Sequence, residues 1–330
     1  MKVVFDGAPL GAGPATGVAI AFLNTLRLYA EQVPGSVMLL PDGAQDPAVP
    51  GIDVVAAPRG RWRRQLALPG LLRRLRADLL HSPVAAIPLR APCPTVATLH
   101  DLPWMHAEAP ESGTTWQRIA TNMALRRASA VLAPSRLTLE AATRIMGRDS
   151  PRLHLVPHGI QLPQTAAASA EDRRAPMLSL GDDRPRKNRP QVMAAEQQAR
   201  SRHRDLPQLQ FVGPPANYIT DLEKTRRLQT CRALIQCSRF EGFGLPVLEG
   251  LAHGAPVLCS DLPPHREVAG DAALFVDPDN IDDIAAGLIR IDEDHELRAR
   301  LCREGPVRAA EFSVNASAAA WQRLHRELLQ

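Results

Sequence analysis

Cys237-Ser238-Arg239-Phe240-Glu241-Gly242-Phe243-Gly244-Leu245-Pro246-Val247-Leu248-Glu249-Gly250-Leu251-Ala252-His253-Gly254-Ala255-Pro256-Val257 reads as a buried strand ending at Ser238, a glycine-rich loop, a short helix and the start of another strand. Pro246 falls where a helix begins, a place that tolerates a missing N–H and a fixed φ, and Gly254 supplies the stop. Glu241 lies in the loop and Glu249 about one turn into the helix, so both carboxylates can face the space in front of the helix N-terminus. That end offers unpaired N–H groups and a positive dipole, which together hold an anion such as phosphate. Two carboxylates beside it suit a ligand with a diphosphate in its middle and hydroxyl-bearing rings at both ends, because ionised carboxylates accept bonds from vicinal hydroxyls.

The same alternation of short β-branched runs and amphipathic stretches extends in both directions, and it is the sequence sign of repeated βα units with a parallel sheet. Strands are expected at 2–6, 37–41, 53–57, 79–82, 95–100, 130–134 and 153–157, with helices at 17–31, 62–77, 114–128 and 136–146. Between Ile160 and Ala175 the text turns polar and Ala-rich, which marks a boundary. The pattern then restarts, with strands near 177–181, 209–212, 233–237, 256–260 and 273–276 and helices near 189–203, 219–230, 245–253, 281–291, 295–304 and 314–329. The fold class expected is therefore α/β, with doubly wound domains over 1–162 and 163–312 and a closing helix over 313–330 that crosses back to the first. Ligands of such sheets sit beyond the carboxyl ends of the strands, which places a site in the cleft that the two domains face.

A length of 330 residues accommodates two domains. With 45% hydrophobic and 22% charged residues the composition is that of an ordinary globular protein, not a disordered or fibrous one. No apolar run approaches the roughly 20 residues of a spanning helix, and the opening Met-Lys-Val-Val-Phe-Asp reaches an acid too soon for a signal peptide, so a cytoplasmic location is expected. The five cysteines form no C-x-x-C pair, which favours reduced, packed thiols. Of 39 basic side chains only Lys2, Lys187 and Lys224 are lysine, and the net charge of +4 suits anionic ligands or a membrane surface. Aromatic residues make up 4%, too few for the stacking platforms of a nucleic-acid binder, and no nucleic-acid partner is expected.

The stretch around Glu241 and Glu249 resembles the signature of the retaining GT-B glycosyltransferases of family 4, two glutamates separated by seven residues around a Gly-Phe-Gly-Leu-Pro segment. The likeness continues through Pro256 to Asp261, His265-Arg266-Glu267-Val268 and Gly270 to Pro278. In the first half it includes Thr98-Leu99-His100-Asp101-Leu102, Ala133-Pro134-Ser135 and Val156-Pro157-His158-Gly159-Ile160. The resemblance implies a GT-B fold of two Rossmann-like domains and a nucleotide diphosphate sugar as donor. It further implies that Glu249 binds the ribose hydroxyls, that Glu241 binds the hydroxyls of the transferred sugar near C3 and C4, and that Gly242, Phe243, Gly244 and Leu245 bring backbone to the phosphates or sugar. For Gly242 and Gly244 simple turn geometry is the alternative, and both can hold together.

Gly181-Asp182-Asp183-Arg184-Pro185-Arg186-Lys187-Asn188 ends the first strand of the second domain. A departing nucleoside diphosphate gains negative charge in the transition state, and a cation must neutralise it. Lys187 matches the family's lysine. Asp182 occupies the usual place of its arginine, so Arg184 or Arg186 takes that part, Arg186 by preference, against the bland reading of a solvated charge cluster. His100 and Asp101 end a strand of the first domain and, by resemblance, shape the reacting face. Gly17 fits the glycine that the family sets against the diphosphate at its first helix. The remaining histidines, His158 at the hinge aside, are read as structural.

Arg59-Gly60-Arg61-Trp62-Arg63-Arg64 and Leu71-Leu72-Arg73-Arg74-Leu75-Arg76 form a basic amphipathic surface. It reads either as a peripheral contact with anionic lipid at the inner face of a membrane or as a solvated helix interrupted by Pro69. Asp292-Glu293-Asp294 spells D-x-D at a helix end, where a solvated acidic turn is the better reading; no essential metal and no cofactor are expected. The run from Pro214 to Phe240 is shorter than in relatives, which leaves the nucleobase open.

The activity these residues imply is hexosyl transfer to an acceptor hydroxyl with retention, the donor phosphate itself helping to take the acceptor's proton, and with closure about a hinge near 160–175 and no side-chain nucleophile. A nucleotide-sugar 2-epimerase of the same architecture, or a non-catalytic scaffold subunit, are the alternatives.

Overall fold

The computed structural model describes residues 1–11, 16–58, 61–106, 114–147, 150–163, 176–214 and 217–330. Two compact units result: Met1–Met105, Gly113–Gly159 and Val314–Gln330 make the first, His106–Ser112 and Ile160–Ser313 the second. Residues 164–175, most of the expected hinge, lie outside the described ones.

In the first unit β1 (Val3–Asp6), β2 (Ser36–Leu40), β3 (Ile52–Ala56), β4 (Leu79–Ser82), β5 (Thr95–Thr98), β6 (Ala130–Ala133) and β7 (Leu153–Leu155) pair in parallel in the order β3-β2-β1-β4-β5-β6-β7. Its inner strands are buried along their whole length, as a sheet covered on both faces demands, which is why they read as unbroken apolar runs. The helices start on polar caps: Thr16 before α1 (Gly17–Gln32), Thr114 before α3 (Thr115–Arg127) and Ser135 before α4 (Arg136–Met146) each accept an N–H of the first turn. α2 (Arg61–Leu75) carries Pro69 inside it without a break, because Leu68, Leu71 and Leu72 are anchored in the core below the sheet.

The second unit holds β8 (Met177–Leu180), β9 (Leu209–Val212), β10 (Leu234–Gln236), β11 (Val257–Ser260) and β12 (Leu274–Val276), again parallel, in the order β12-β11-β10-β8-β9. The order reverses between β8 and β10, so their carboxyl ends form the crevice where such sheets take ligands. α5 (Arg189–Arg202), α6 (Asp221–Thr230), α7 (Leu245–Ala252), α8 (Pro263–Ala269), α9 (Ile281–Glu293) and α10 (His295–Ala310) cover the two faces over separate apolar cores. α10 continues through Pro306 to Ala310, past the stop expected at 304, because Arg308 donates to the carbonyls of Val268 and Glu267 and so holds the last turns against α8.

The chain then returns to the first unit as α11 (Val314–Glu327), which packs on α1. Its Trp321 closes an aromatic cluster with ring-centroid distances of 6.0 Å to Phe5, 6.2 Å to Phe22 and 4.4 Å to His81. At the crossing points Ile160 N–H donates to the Phe312 carbonyl, 2.8 Å, within the second unit.

Candidate active site

Three loops meet at the carboxyl ends of β8, β9 and β10. Gly213, at φ 142°, abuts the Gly181 carbonyl so closely that any Cβ would collide with it, which forces glycine at this junction. Asn188, buried and left-handed at φ 59°, donates to the carbonyls of Cys237 at 3.1 Å and Pro278 at 2.7 Å, and Arg239 N–H donates to Arg186 O at 2.8 Å. These bonds fix the short helical turn Pro185–Lys187 against the loop that follows β10. Lys187 is held over Gly181 and points its ammonium at Glu241.

The result is a buried ion pair: Lys187 Nζ donates to Glu241 Oε1 at 2.7 Å, and Ser238 Oγ donates to the same oxygen at 2.8 Å. Burial alone would raise the Glu241 carboxyl; Lys187, Arg186 and His265 outweigh it and hold the group at about 2. A carboxylate with that proton affinity is a hydrogen-bond acceptor at neutral pH and not a base. Arg186 is buried beside it, whereas Arg184 is turned outward and spends its Nε on Asp182 at 2.8 Å. The structure thus separates the two arginines that sequence left as alternatives.

Behind the loop, Gly244 caps α7 at φ 100° with no side-chain cap, and Pro246 occupies its first turn, so backbone N–H groups of this end are not spent on a capping side chain. A Cβ on Gly244 would stand 2.9 Å from Cδ2 of His265, a fully buried ring whose Nδ1 bonds the Ser260 carbonyl at 3.0 Å. Gly242, Phe243 and Gly244 are buried and Leu245 partly so. Glu249, one turn on, is paired with Lys224 of α6: Nζ to Oε1, 2.7 Å. Sequence reading passed over Lys224, Asn188 and Ser238. Lys224 and Asn188 act through contacts distant in sequence, and for Lys224 the only signal available was the scarcity of lysine; Ser238 acts three residues away, within the loop that follows β10.

In the first unit His100, at the end of β5, uses both ring nitrogens: Nε2 donates to the Pro83 carbonyl at 2.6 Å and Nδ1 accepts from His158 Nε2 at 3.1 Å, the rings stacked 5.1 Å apart. Burial lowers both imidazoles and they stay neutral. Asp101 follows, half-buried, and Gly17 is the exposed first residue of α1. The rest of that glycine-rich segment, 12–15, lies outside the described residues.

Two expectations are corrected. Asp292-Glu293-Asp294 is not a solvated turn: Asp292 is buried and receives Arg232 Nε at 2.5 Å and His203 Nε2 at 3.0 Å, while Asp294 caps α10. The segment 61–75 is an unbroken helix whose Leu68, Leu71 and Leu72 face the core, leaving Arg73, Arg74 and Arg76 exposed with Leu66, which is 83% accessible. Arg59 lies outside the described residues, and Arg64 turns inward to Asp6 at the end of β1. Among the described residues no group of three histidines, cysteines or carboxylates could hold a metal ion, and no helix is long and apolar enough to cross a membrane.

Comparison with known proteins places these features in context. The family described as glycosyl transferases group 1 matches residues 176–308, and glycosyltransferase family 4 matches 25–163. The O-antigen chain mannosyltransferase B of Escherichia coli is 35% identical over 96 residues, 29% of this chain and 25% of that protein. The phosphatidyl-myo-inositol mannosyltransferase of Mycolicibacterium smegmatis is 36% identical over 87 residues, 26% of this chain and 22% of that one. The chain thus spans about a quarter of the length of these curated relatives. The fold is that of Anabaena HepE, crystallised with UDP and glucose (TM-score 0.75, 16% identity, 99% of this chain and 100% of that one). It is equally that of the sucrose-phosphate synthase of Thermosynechococcus elongatus (TM-score 0.80, 16% identity, 99% of each).

Proposed function

This chain belongs to the family-4 glycosyltransferases and has their GT-B fold, and from that we propose that it moves a hexosyl group from a nucleotide diphosphate sugar to an acceptor hydroxyl, with retention and without a metal. The observation that carries the reading is the buried Glu241–Lys187 pair at the switch point of the second sheet, in front of the uncapped end of α7. Ser238 and Lys187 both bond Oε1, so Oε2 of Glu241 is left to accept sugar hydroxyls. An ammonium carries three donors, of which Glu241 takes one, and the others suit phosphoryl oxygens. Lys187, Arg186 and the α7 dipole together supply the positive charge that a departing diphosphate requires, which is the part a divalent ion plays in other transferases.

Held at about 2, Glu241 is too weak a base to take the acceptor's proton, and we assign that role to the donor phosphate. Mannose is the sugar to try first, since the curated relatives are mannosyltransferases. Peripheral contact with anionic lipid would use Arg73, Arg74 and Arg76 around Leu66.

The test is nucleoside diphosphate release from UDP-, GDP-, ADP- and dTDP-hexoses, mannosyl donors first, with saccharide and lipid-linked acceptors and with EDTA present. Wild type should release diphosphate only with an acceptor and give a product of unchanged anomeric configuration. E241Q should lower kcat by roughly a hundredfold or more, the size of effect seen when a transition-state contact is lost. Conversion of the donor to an isomeric nucleotide sugar without an acceptor, and with no net diphosphate release, would point to an epimerase. A full panel without turnover would point to a scaffold subunit.

A further inference from the structure

Thr220 caps α6 by accepting the Glu223 N–H, and Lys224 stands in the second turn with its side chain 19% accessible. Its ammonium donates to Glu249 Oε1 at 2.7 Å and lies 3.5 Å from Asp221, which is itself largely exposed. Among the described residues Oε2 of Glu249 takes no hydrogen bond. The arrangement repeats that of the other glutamate, where Lys187 and Ser238 share Oε1.

The choice of cation is informative. The chain has 39 basic side chains and only three lysines, yet two of those three hold the two glutamates. An arginine fork matches a carboxylate with two parallel bonds and occupies both oxygens, whereas an ammonium is a compact donor that holds one. A carboxylate that must also accept hydroxyls needs its second oxygen.

We propose that Lys224 is a positioning residue for the nucleoside half of the donor: it pins Oε1 of Glu249 and leaves Oε2 turned to the ribose hydroxyls. This rests on the assignment of Glu249 to the nucleoside. The pairing also raises the affinity of Lys224 for its proton despite the burial that opposes it, so the clamp is charged throughout the neutral range. Lys224 is thus given to the nucleoside and not to the diphosphate, and the two parts of the ligand can be probed apart.

The experiment is calorimetric titration of the wild-type, K224M, K224R, E249Q and K224M/E249Q proteins with UDP, GDP, ADP and dTDP, and separately with inorganic pyrophosphate, each variant first checked by thermal melting. With the diphosphate that binds best, K224M should bind about tenfold more weakly, a loss the size of one charged contact. K224R, which keeps charge and fold but claims both oxygens, should be at least as weak. Pyrophosphate should bind all five proteins alike, and the double variant should be less than additive because both changes act on one contact. Wild-type binding by K224R, or equal weakening toward pyrophosphate, overturns the proposal. If E249Q alone weakens the nucleoside diphosphate and K224M does not, Lys224 loses its role and the site stands. If E249Q binds as wild type, the assignment of Glu249 falls, and the role of Lys224 with it.

Discussion

A lysine held against a buried glutamate costs much to remove and little to keep. Replacing Lys187 with Met leaves the Glu241 carboxylate buried without its nearest cation, which should cost about 3–5 kcal/mol. The same change removes the largest influence opposing burial, so the carboxyl should move up from about 2. Urea denaturation at neutral pH and the pH dependence of K187M stability both read this. Wild type should lose this stabilisation progressively as the pH falls through the ordinary carboxylate range toward about 2, whereas K187M should lose stability less steeply there because its carboxyl takes a proton near or above the unfolded value. An unchanged unfolding midpoint in K187M would show that the pair is solvated. At this scale Glu241 and Glu249 came forward as candidates from the pattern of one loop, and Lys187 through the family resemblance. Lys224 did not, since nothing within α6 reveals that its fourth residue meets a helix turn 25 positions away. Arg186 and Arg184 are two apart and the pattern prefers Arg186 only slightly; in the structure Arg186 is buried and Arg184 exposed.

Among elements, strands were readable because both faces of each sheet are covered and the apolar runs have no alternative environment. Helix limits were readable where a polar cap or glycine set them, as at Ser135 and Gly147 around α4. They failed where packing overrides a local rule. Pro306 signals a stop that the bonds from Arg308 annul, and α8 was absent from the reading although Pro263-Pro264 preorganise its first turn. Asp292 looked like surface because its partners, Arg232 and His203, come from other elements. The element with most at stake is α11, whose Trp321 fills the aromatic cluster over β1. Trp321→Ala should destabilise the first unit by about 3–5 kcal/mol through the cavity it leaves. In calorimetry the transition belonging to that unit should move down while that of the second unit stays; a uniform shift of both would contradict separate cores.

For the whole molecule, acid should act unevenly. His81 and His325 form a buried chain, Nδ1 to Nε2 at 3.1 Å, which continues from His325 Nδ1 to the Tyr29 hydroxyl at 2.8 Å. Burial lowers both, His325 to about 3, and His100 and His158 are lowered in the same unit. These groups stay neutral in the folded protein but take protons once unfolded, near the ordinary histidine value of about 6.5. The unfolded state therefore binds more protons below that pH, so stability is full above it and falls as the pH drops toward the folded values. His325 alone should contribute a loss of about 2 kcal/mol by pH 5. Melting at pH 7.5 and 5.0 should show the first unit's transition falling more than the second's, and H325L should reduce the gap. Equal shifts would place these imidazoles in water.

The return of α11 to the first unit has a consequence for biosynthesis. A ribosome adding about 5–20 residues per second releases β1 to β7 long before residues 314–327 exist. For that interval, on the order of ten to thirty seconds at those rates, Phe5, Phe22 and Tyr29 wait without the indole that covers them, while all the strands of the second unit are made. The half made first is thus the half completed last, and a nascent chain stalled before Trp321 should expose it to proteases and chaperones.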